Sequence, residues 1–120
     1  MGCSFEPLDF LELARKLVVG ELQDTEAILR TAVGRAYYAL FLVARERTCT
    51  RERKKVHYRV IKAVKRRDRS TGEQLKSLFR LRKVADYELV PENPRDRDWD
   101  QNWKRAKDIV DHLLPKLQKL

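Results

Sequence analysis

Apolar residues recur along this chain at helical spacing, in five separate runs. Leu11, Ala14, Leu17 and Val18 make one stripe, and they predict a helix from about Pro7 to Val19. Pro suits its first position and Gly20 its end. The second run is denser: Leu29, Ala32, Val33, Ala36, Leu40, Val43 and Ala44 share a face, and Tyr37, Tyr38 and Phe41 extend it around the circumference. It predicts a helix from about Thr25 to Arg47, capped by Asp24 or Thr25. A helix apolar nearly all round needs cover on several sides, and in so small a chain part of that cover is expected from a second subunit.

Val56, Val60, Ile61 and Val64 predict a third helix from about Arg53 to Arg67, with Lys55, Arg59, Lys62 and Arg66 on its opposite face. Asp68–Gly72 reads as a turn, and Ser70 with Glu73 fits a capping box for a fourth helix ending near Glu88. Leu75, Leu78 and Phe79 start its inward stripe. The next stripe positions are Arg82 and Asp86, spaced i, i+4 and so able to pair. Leu89–Asp98, with Pro91 and Pro94, reads as a loop. Trp99, Trp103, Ala106, Val110, Leu113 and Leu117 predict a fifth helix, which Pro115 is expected to kink or end early. The expected fold is all-α: one domain over residues 1–120, an up-and-down bundle of about five helices.

Charge sharpens this picture. The net charge is +9 over 120 residues. Residues 45–83 alone carry sixteen basic and four acidic side chains. That concentration suggests a polyanionic partner: a nucleic acid, a nucleotide or an acidic protein. The longest uninterrupted apolar stretch, Ala36–Ala44, is far short of the ~20 residues of a membrane span, so no membrane partner is expected. Cys3 and Cys49 fit no metal spacing or disulfide framework, and two free thiols suit a reducing cytoplasm.

Little points to familiar catalytic chemistry. The four glycines are isolated, so no phosphate-cradling loop is expected, and no His, Cys, Asp or Glu cluster suggests a metal or other cofactor. There are two histidines. His112 has no local support. His57 lies at the edge of the third helix's apolar stripe near Arg53 and Lys54; it reads either as a partly buried structural residue or as an acid/base kept neutral by nearby cations. Arg82 and Asp86 read either as a structural ion pair or as part of a functional surface.

Two segments carry a resemblance. Arg35-Ala36-Tyr37-Tyr38-Ala39-Leu40-Phe41 in the second helix and Arg82-Lys83-Val84-Ala85-Asp86-Tyr87 in the fourth, with Val56-His57-Tyr58 between them, resemble a HEPN domain (higher eukaryotes and prokaryotes nucleotide-binding). The resemblance spans nearly the whole chain. It implies a bundle of about five helices, a homodimer, and a small nucleotidyltransferase-domain protein as partner in a toxin–antitoxin-like pair. It also implies nucleotide or RNA binding, with Arg35, Arg82 and Asp86 at the phosphate, Tyr87 beside them, and the Lys55–Arg66 face supplying attraction. Some members are metal-independent ribonucleases using R-x(4–6)-H. Here Asp86 and Tyr87 stand where that His belongs, while Arg51–His57 and Arg105–His112 match the spacing elsewhere. Three readings remain open: a nucleotide- or RNA-binding component, a ribonuclease acting through His57 and Arg82, and a protein-interaction module using the basic face.

Overall fold

The computed structural model describes residues 6–19 and 26–120. Five α-helices fill it: α1 (Leu8–Val19), α2 (Glu26–Arg47), α3 (Val56–Arg67), α4 (Arg69–Tyr87) and α5 (Trp99–Gln118), with a short 3-10 turn at Pro94–Asp96. No strand occurs among the described residues. The fold is an all-α bundle. Cys3, Gly20, Asp24 and Thr25 lie outside the described residues, so the expected caps around the α1–α2 connection do too.

The centre of the bundle is α2. Ten of its 22 residues are buried, including Val33, Ala36, Tyr37 and Leu40 at zero exposure. The other four helices all pack against it. Its apolar circumference is therefore covered within the chain, and no longer argues for a second subunit. By length and composition α2 alone matches a bilayer span, yet more than half of that stretch is buried inside the bundle, as a core helix requires. The stripes of the other helices point inward as their spacing dictates: Leu11 and Ala14, Val60, Ile61 and Val64, Leu75 and Leu78, and all six stripe positions of α5 are buried.

Three boundaries differ from expectation. Helix α3 starts at Val56, because Lys55 takes a left-handed backbone, φ 54° and ψ 41°, ahead of it. Asp68–Gly72 is not a turn: α4 already begins at Arg69, and Asp68 alone, extended at φ −156°, ends α3 and precedes α4. Ser70 is thus inside α4, and the capping box with Glu73 does not form. Instead Thr71 Oγ1 donates to Asp68 Oδ2 at 2.8 Å, and Glu73 pairs with Lys65 Nζ at 3.0 Å. Gly72 serves as a close-approach point. A Cβ there would lie 2.8 Å from both Lys65 Cα and Lys65 N, so α3 and α4 meet backbone to backbone. Finally, α5 continues through Pro115 to Gln118. Leu113 and Leu117 on either side are fully buried and keep that turn seated, while Pro115 lacks only one donor, on an exposed face.

Two polar clamps hold α4, and neither was visible as a local pattern. Arg30 of α2 reaches the C-terminus of α4, where Nη1 donates to the carbonyls of Val84 (3.2 Å), Ala85 (3.1 Å) and Glu88 (2.7 Å). Its Nη2 donates to Leu89 O at 2.9 Å. Helix ends leave such carbonyls without partners, and a cation there also opposes the helix dipole. Glu26 holds Nε at 2.9 Å and the Trp99 ring lies 4.5 Å beneath the guanidinium. Further along, the buried Asp96 accepts from Arg80 at 2.9 and 3.3 Å, with Arg105 at 3.7 Å. Asn102 Nδ2 donates to the Asp96 carbonyl at 2.7 Å. The hydrogen bonds from Arg80 hold the Asp96 carboxyl below its ordinary value against the opposing effect of burial.

These contacts make three predictions. Replacing Gly72 by Ala forces the α3–α4 corner apart and lowers stability by about 1–3 kcal/mol in urea unfolding. Replacing Gly34 by Ala, where the nearest foreign atom to a new Cβ is Asp86 Oδ1 at 3.5 Å, is neutral or stabilises by up to about 1 kcal/mol through helix propensity. Arg30→Met keeps the stem but strands the α4 carbonyls. It costs about 2–3 kcal/mol and raises amide exchange in the last turn of α4 before any other part of the bundle.

Candidate functional site

Arg35 and Tyr38 stand on one side of α2, and Arg82, Asp86 and Tyr87 stand on the last turns of α4 beside them. The Arg35 guanidinium lies 5.4 Å from the Tyr38 ring centre and 4.9 Å from Phe10 of α1. The Arg82 guanidinium lies 5.6 Å from the same Tyr38 ring and 5.6 Å from Tyr87. Two cations from two helices thus share one aromatic ring, an arrangement the ring quadrupole favours. Arg82 Nε is 2.8 Å from Asp86 Oδ2. The contact is an ion pair without the N–H alignment of a hydrogen bond. The Asp86 carboxylate in turn faces α2 at Gly34. Arg82 has 14% of its side chain exposed, Asp86 35% and Tyr87 71%. The pair sits at the rim of the core, with Tyr87 fully available to a ligand.

Behind Tyr38 lies His57, the second residue of α3. It is half-buried among four aromatic rings: Phe41 at 4.2 Å, Phe79 stacked at 5.0 Å and 11°, Tyr37 at 5.6 Å and Tyr38 edge-on at 6.0 Å. Tyr37 Oη is 2.7 Å from His57 Nδ1. Burial lowers the imidazole's proton affinity below its ordinary value, and Arg82 and Arg45 lower it further. The cations that act on His57 are therefore those two, rather than the Arg53 and Lys54 that flank it in sequence. Burial also pushes the Tyr37 phenol far above its ordinary value, so its hydroxyl stays protonated. If that hydroxyl donates to Nδ1, Nε2 carries the imidazole proton. If Nδ1–H donates instead, Nε2 is free to act as a base.

Of the expected site residues, Arg35, His57, Arg82, Asp86 and Tyr87 gather around Tyr38. Arg59, Lys62 and Arg66 form a separate, exposed face of α3; Lys55, expected on the same face, is exposed but precedes the helix. Arg59, Lys62 and Arg66 line a hollow with Thr48, Thr50 and Glu52, and Arg59 Nε donates to Lys54 O at 2.9 Å. The two literal R-x(4–6)-H matches do not become sites. Arg51 lies on the exposed loop before α3 and is not among the cations that shift His57. Arg105 is engaged with Asn102, at 2.6 Å, and with Asp96, while His112 faces the Asp108 carbonyl at 3.1 Å. Sequence reasoning missed Tyr38 as the shared platform and Arg45 as a neighbour of His57. Both lie on α2 at positions that read as packing or as helix end.

Among the described residues, no three His, Cys, Asp or Glu side chains are placed to hold a metal ion. Cys49 is a free, exposed thiol. No protein-family model, no curated protein and no solved structure matches the chain.

The environment of His57 fixes a pH dependence. The folded state binds its proton more weakly than the unfolded chain, whose value is 6.5. Its contribution to stability is complete above that value and is lost as pH falls through it toward the folded-state value. Unfolding midpoints should therefore fall on acidification from pH 7 to 5. In His57→Phe, which keeps a ring in the aromatic cage, that part of the slope should vanish. Both substitutions leave the Tyr37 hydroxyl without its partner; His57→Ala also empties the aromatic cage and should cost more than His57→Phe, about 1–3 kcal/mol or above at pH 7.5.

Proposed function

We propose that this chain is a HEPN-like protein of the cytoplasm that binds the phosphate of a nucleotide or RNA, as a homodimer beside a small nucleotidyltransferase in a toxin–antitoxin-like pair. The observation that carries the binding reading is the convergence of Arg35 and Arg82 on the Tyr38 ring, where, among the described residues, Asp86 is the carboxylate paired with them. Guanidinium groups held by stacking keep their N–H forks in fixed planes, which suits bidentate contact with phosphate oxygens. Asp86 orients Arg82. Exposed Tyr87 offers a face for a base. The homodimer and the nucleotidyltransferase rest on the resemblance of the Arg35–Phe41 and Arg82–Tyr87 segments alone.

A second reading is favoured by one specific arrangement. His57 of α3 and Arg82 of α4 both border the Tyr38 ring, at 6.0 and 5.6 Å, and burial together with Arg82 lowers the proton affinity of the imidazole. A neutral imidazole next to an arginine suits acid/base work at a phosphodiester, the chemistry of a metal-independent ribonuclease.

Purified protein is incubated with labelled single-stranded RNA in EDTA and, separately, titrated with mononucleotides. Binding of either that weakens about tenfold or more in Arg82→Ala and in Arg35→Ala supports the binding reading. RNA cleavage in EDTA that is lost in both His57→Ala and Arg82→Ala makes the protein a ribonuclease. Absence of binding and of cleavage leaves the basic face to an acidic protein partner.

A further inference from the structure

A groove of about 510 Å³ runs between α3 and α4, on the far side of Phe79 from the Arg82 cluster. Its floor is Ile61 and Phe79, and Tyr58 stands on its rim with 68% of its surface exposed. Five basic residues line it: Lys62, Lys65, Lys76, Arg80 and Lys83. Two are already neutralised, Lys65 by Glu73 at 3.0 Å and Arg80 by Asp96 at 2.9 Å. Lys62, Lys76 and Lys83 form no close ion pair among the described residues, although the charge of Lys76 is felt by Glu73; Lys83 Nζ lies 4.7 Å over the Phe79 ring.

The groove is not isolated. Lys62 also lines the hollow of Arg59 and Arg66, and that hollow shares Cys49 and Thr50 with a third, walled by Arg45, Arg51 and Arg53. Two of the depressions flank α3 on either side of Lys62, and the third continues onto the end of α2 and the loop before α3. Cations recur in every part of this track. Large apolar surface occurs in the α3–α4 groove, whereas the middle hollow is walled by Thr48, Thr50, Glu52 and Ala63.

We infer that this track binds single-stranded nucleic acid, with the backbone following Arg59, Arg66 and Lys62 and one or two bases lodged in the α3–α4 groove against Tyr58. The inference rests on the reading that the chain binds RNA, and names the face that holds the strand. A phosphodiester chain carries regular negative charge along its length and needs apolar contact only where a base turns inward. An acidic amphipathic peptide needs apolar anchors along its length, and the middle hollow offers none. Phe79, which lines the groove and stacks on His57, stands between the groove and the Arg82 cluster, so the strand-binding face and the phosphate-binding cluster are separate.

The test is fluorescence anisotropy with a labelled oligouridine RNA long enough to span the track. It compares wild type, a groove variant (Lys62→Glu, Lys76→Glu and Lys83→Glu together), Tyr58→Ala, and an α5 control of equal charge change (Lys104→Glu, Lys116→Glu and Lys119→Glu together). All six lysines are exposed, so each variant is expected to keep the wild-type unfolding midpoint. The groove variant should bind the RNA about tenfold or more weakly, with a shallower dependence of log affinity on log salt concentration. Tyr58→Ala should weaken binding without changing that slope, and the α5 control should stay within about threefold of wild type by net charge alone. Mononucleotide binding should survive in the groove variant and fall in Arg82→Ala. The inference is overturned if the groove variant binds no worse than the α5 control. It is equally overturned if polyglutamate of matched charge competes as well as unlabelled RNA. RNA binding that depends on Arg82 but not on the groove lysines removes this inference alone; no RNA binding by wild type removes the binding reading with it.

Discussion

A long helix with apolar residues around most of its circumference must be enclosed, and α2 imposes that demand on everything else in this chain. Four other helices are available, and all four are used to surround it. The core that results runs from Leu29 to Ala44 along α2 and is completed by Val60, Val64, Leu75, Leu78, Trp103 and Leu113. One consequence is that Arg30, Arg35, Tyr37 and Tyr38 of α2 end at junctions between helices. Arg30 lies where α4 ends, Tyr37 meets α3 at His57, and Arg35 and Tyr38 meet α1 and the last turns of α4. A polar group on such a helix has to find a partner at a seam, and the candidate site is one of those seams.

The same constraint explains why α4 is held so firmly at both ends. At its start, Gly72 lets the backbone of α3 approach closely enough that Asp68 is the only residue between the two helices. At its end, Arg30 gathers four carbonyls, of which that of Val84 also accepts from Glu88 N. Between the clamps lie Arg82 and Asp86. Their geometry is set by elements that make no contact with a ligand, the condition under which a cluster is preorganised. Arg82 is thereby fixed against Tyr38 and does not sweep through solvent as an exposed arginine would.

Much of the bundle was legible in the sequence because helical periodicity is a local signal. The stripes of α1, α2, α3 and α5 each follow from residues three and four apart. The misreadings share a cause. Ser70-Thr71-Gly72 has turn-like composition, yet tertiary contact uses Gly72 for close approach to Lys65, and the segment stays helical. Pro115 breaks a helix when nothing else holds it, but buried Leu113 and Leu117 do hold it. Arg30 and Asp96 were missed since the partners that tie them to α4 lie 54 to 59 residues from Arg30 and 16 from Asp96, and no spacing rule encodes such distances. A signal did exist for Arg30: a charge in a mostly apolar helix asks for a partner, the same question that singled out Arg82. In the site, Arg82–Asp86 was legible as an i, i+4 pair. The meeting of His57 with Arg82 was not, because it depends on how α3 and α4 pack.

The chain's charge is divided by physical necessity into two kinds of cation. Arg30, Arg80 and Arg82 lie against the core or a buried carboxylate, and each is matched to carbonyls or carboxylates because an unmatched charge there is costly. The α3 cations stay in solvent, where like charges repel one another only weakly. Such a surface still stores repulsion that a polyanion would relieve, and the relief grows with every cation it covers. A mononucleotide can cover few of them. An extended polyanion covers many, so the exposed α3 cations act collectively, whereas the cations against the core act singly through their fixed partners.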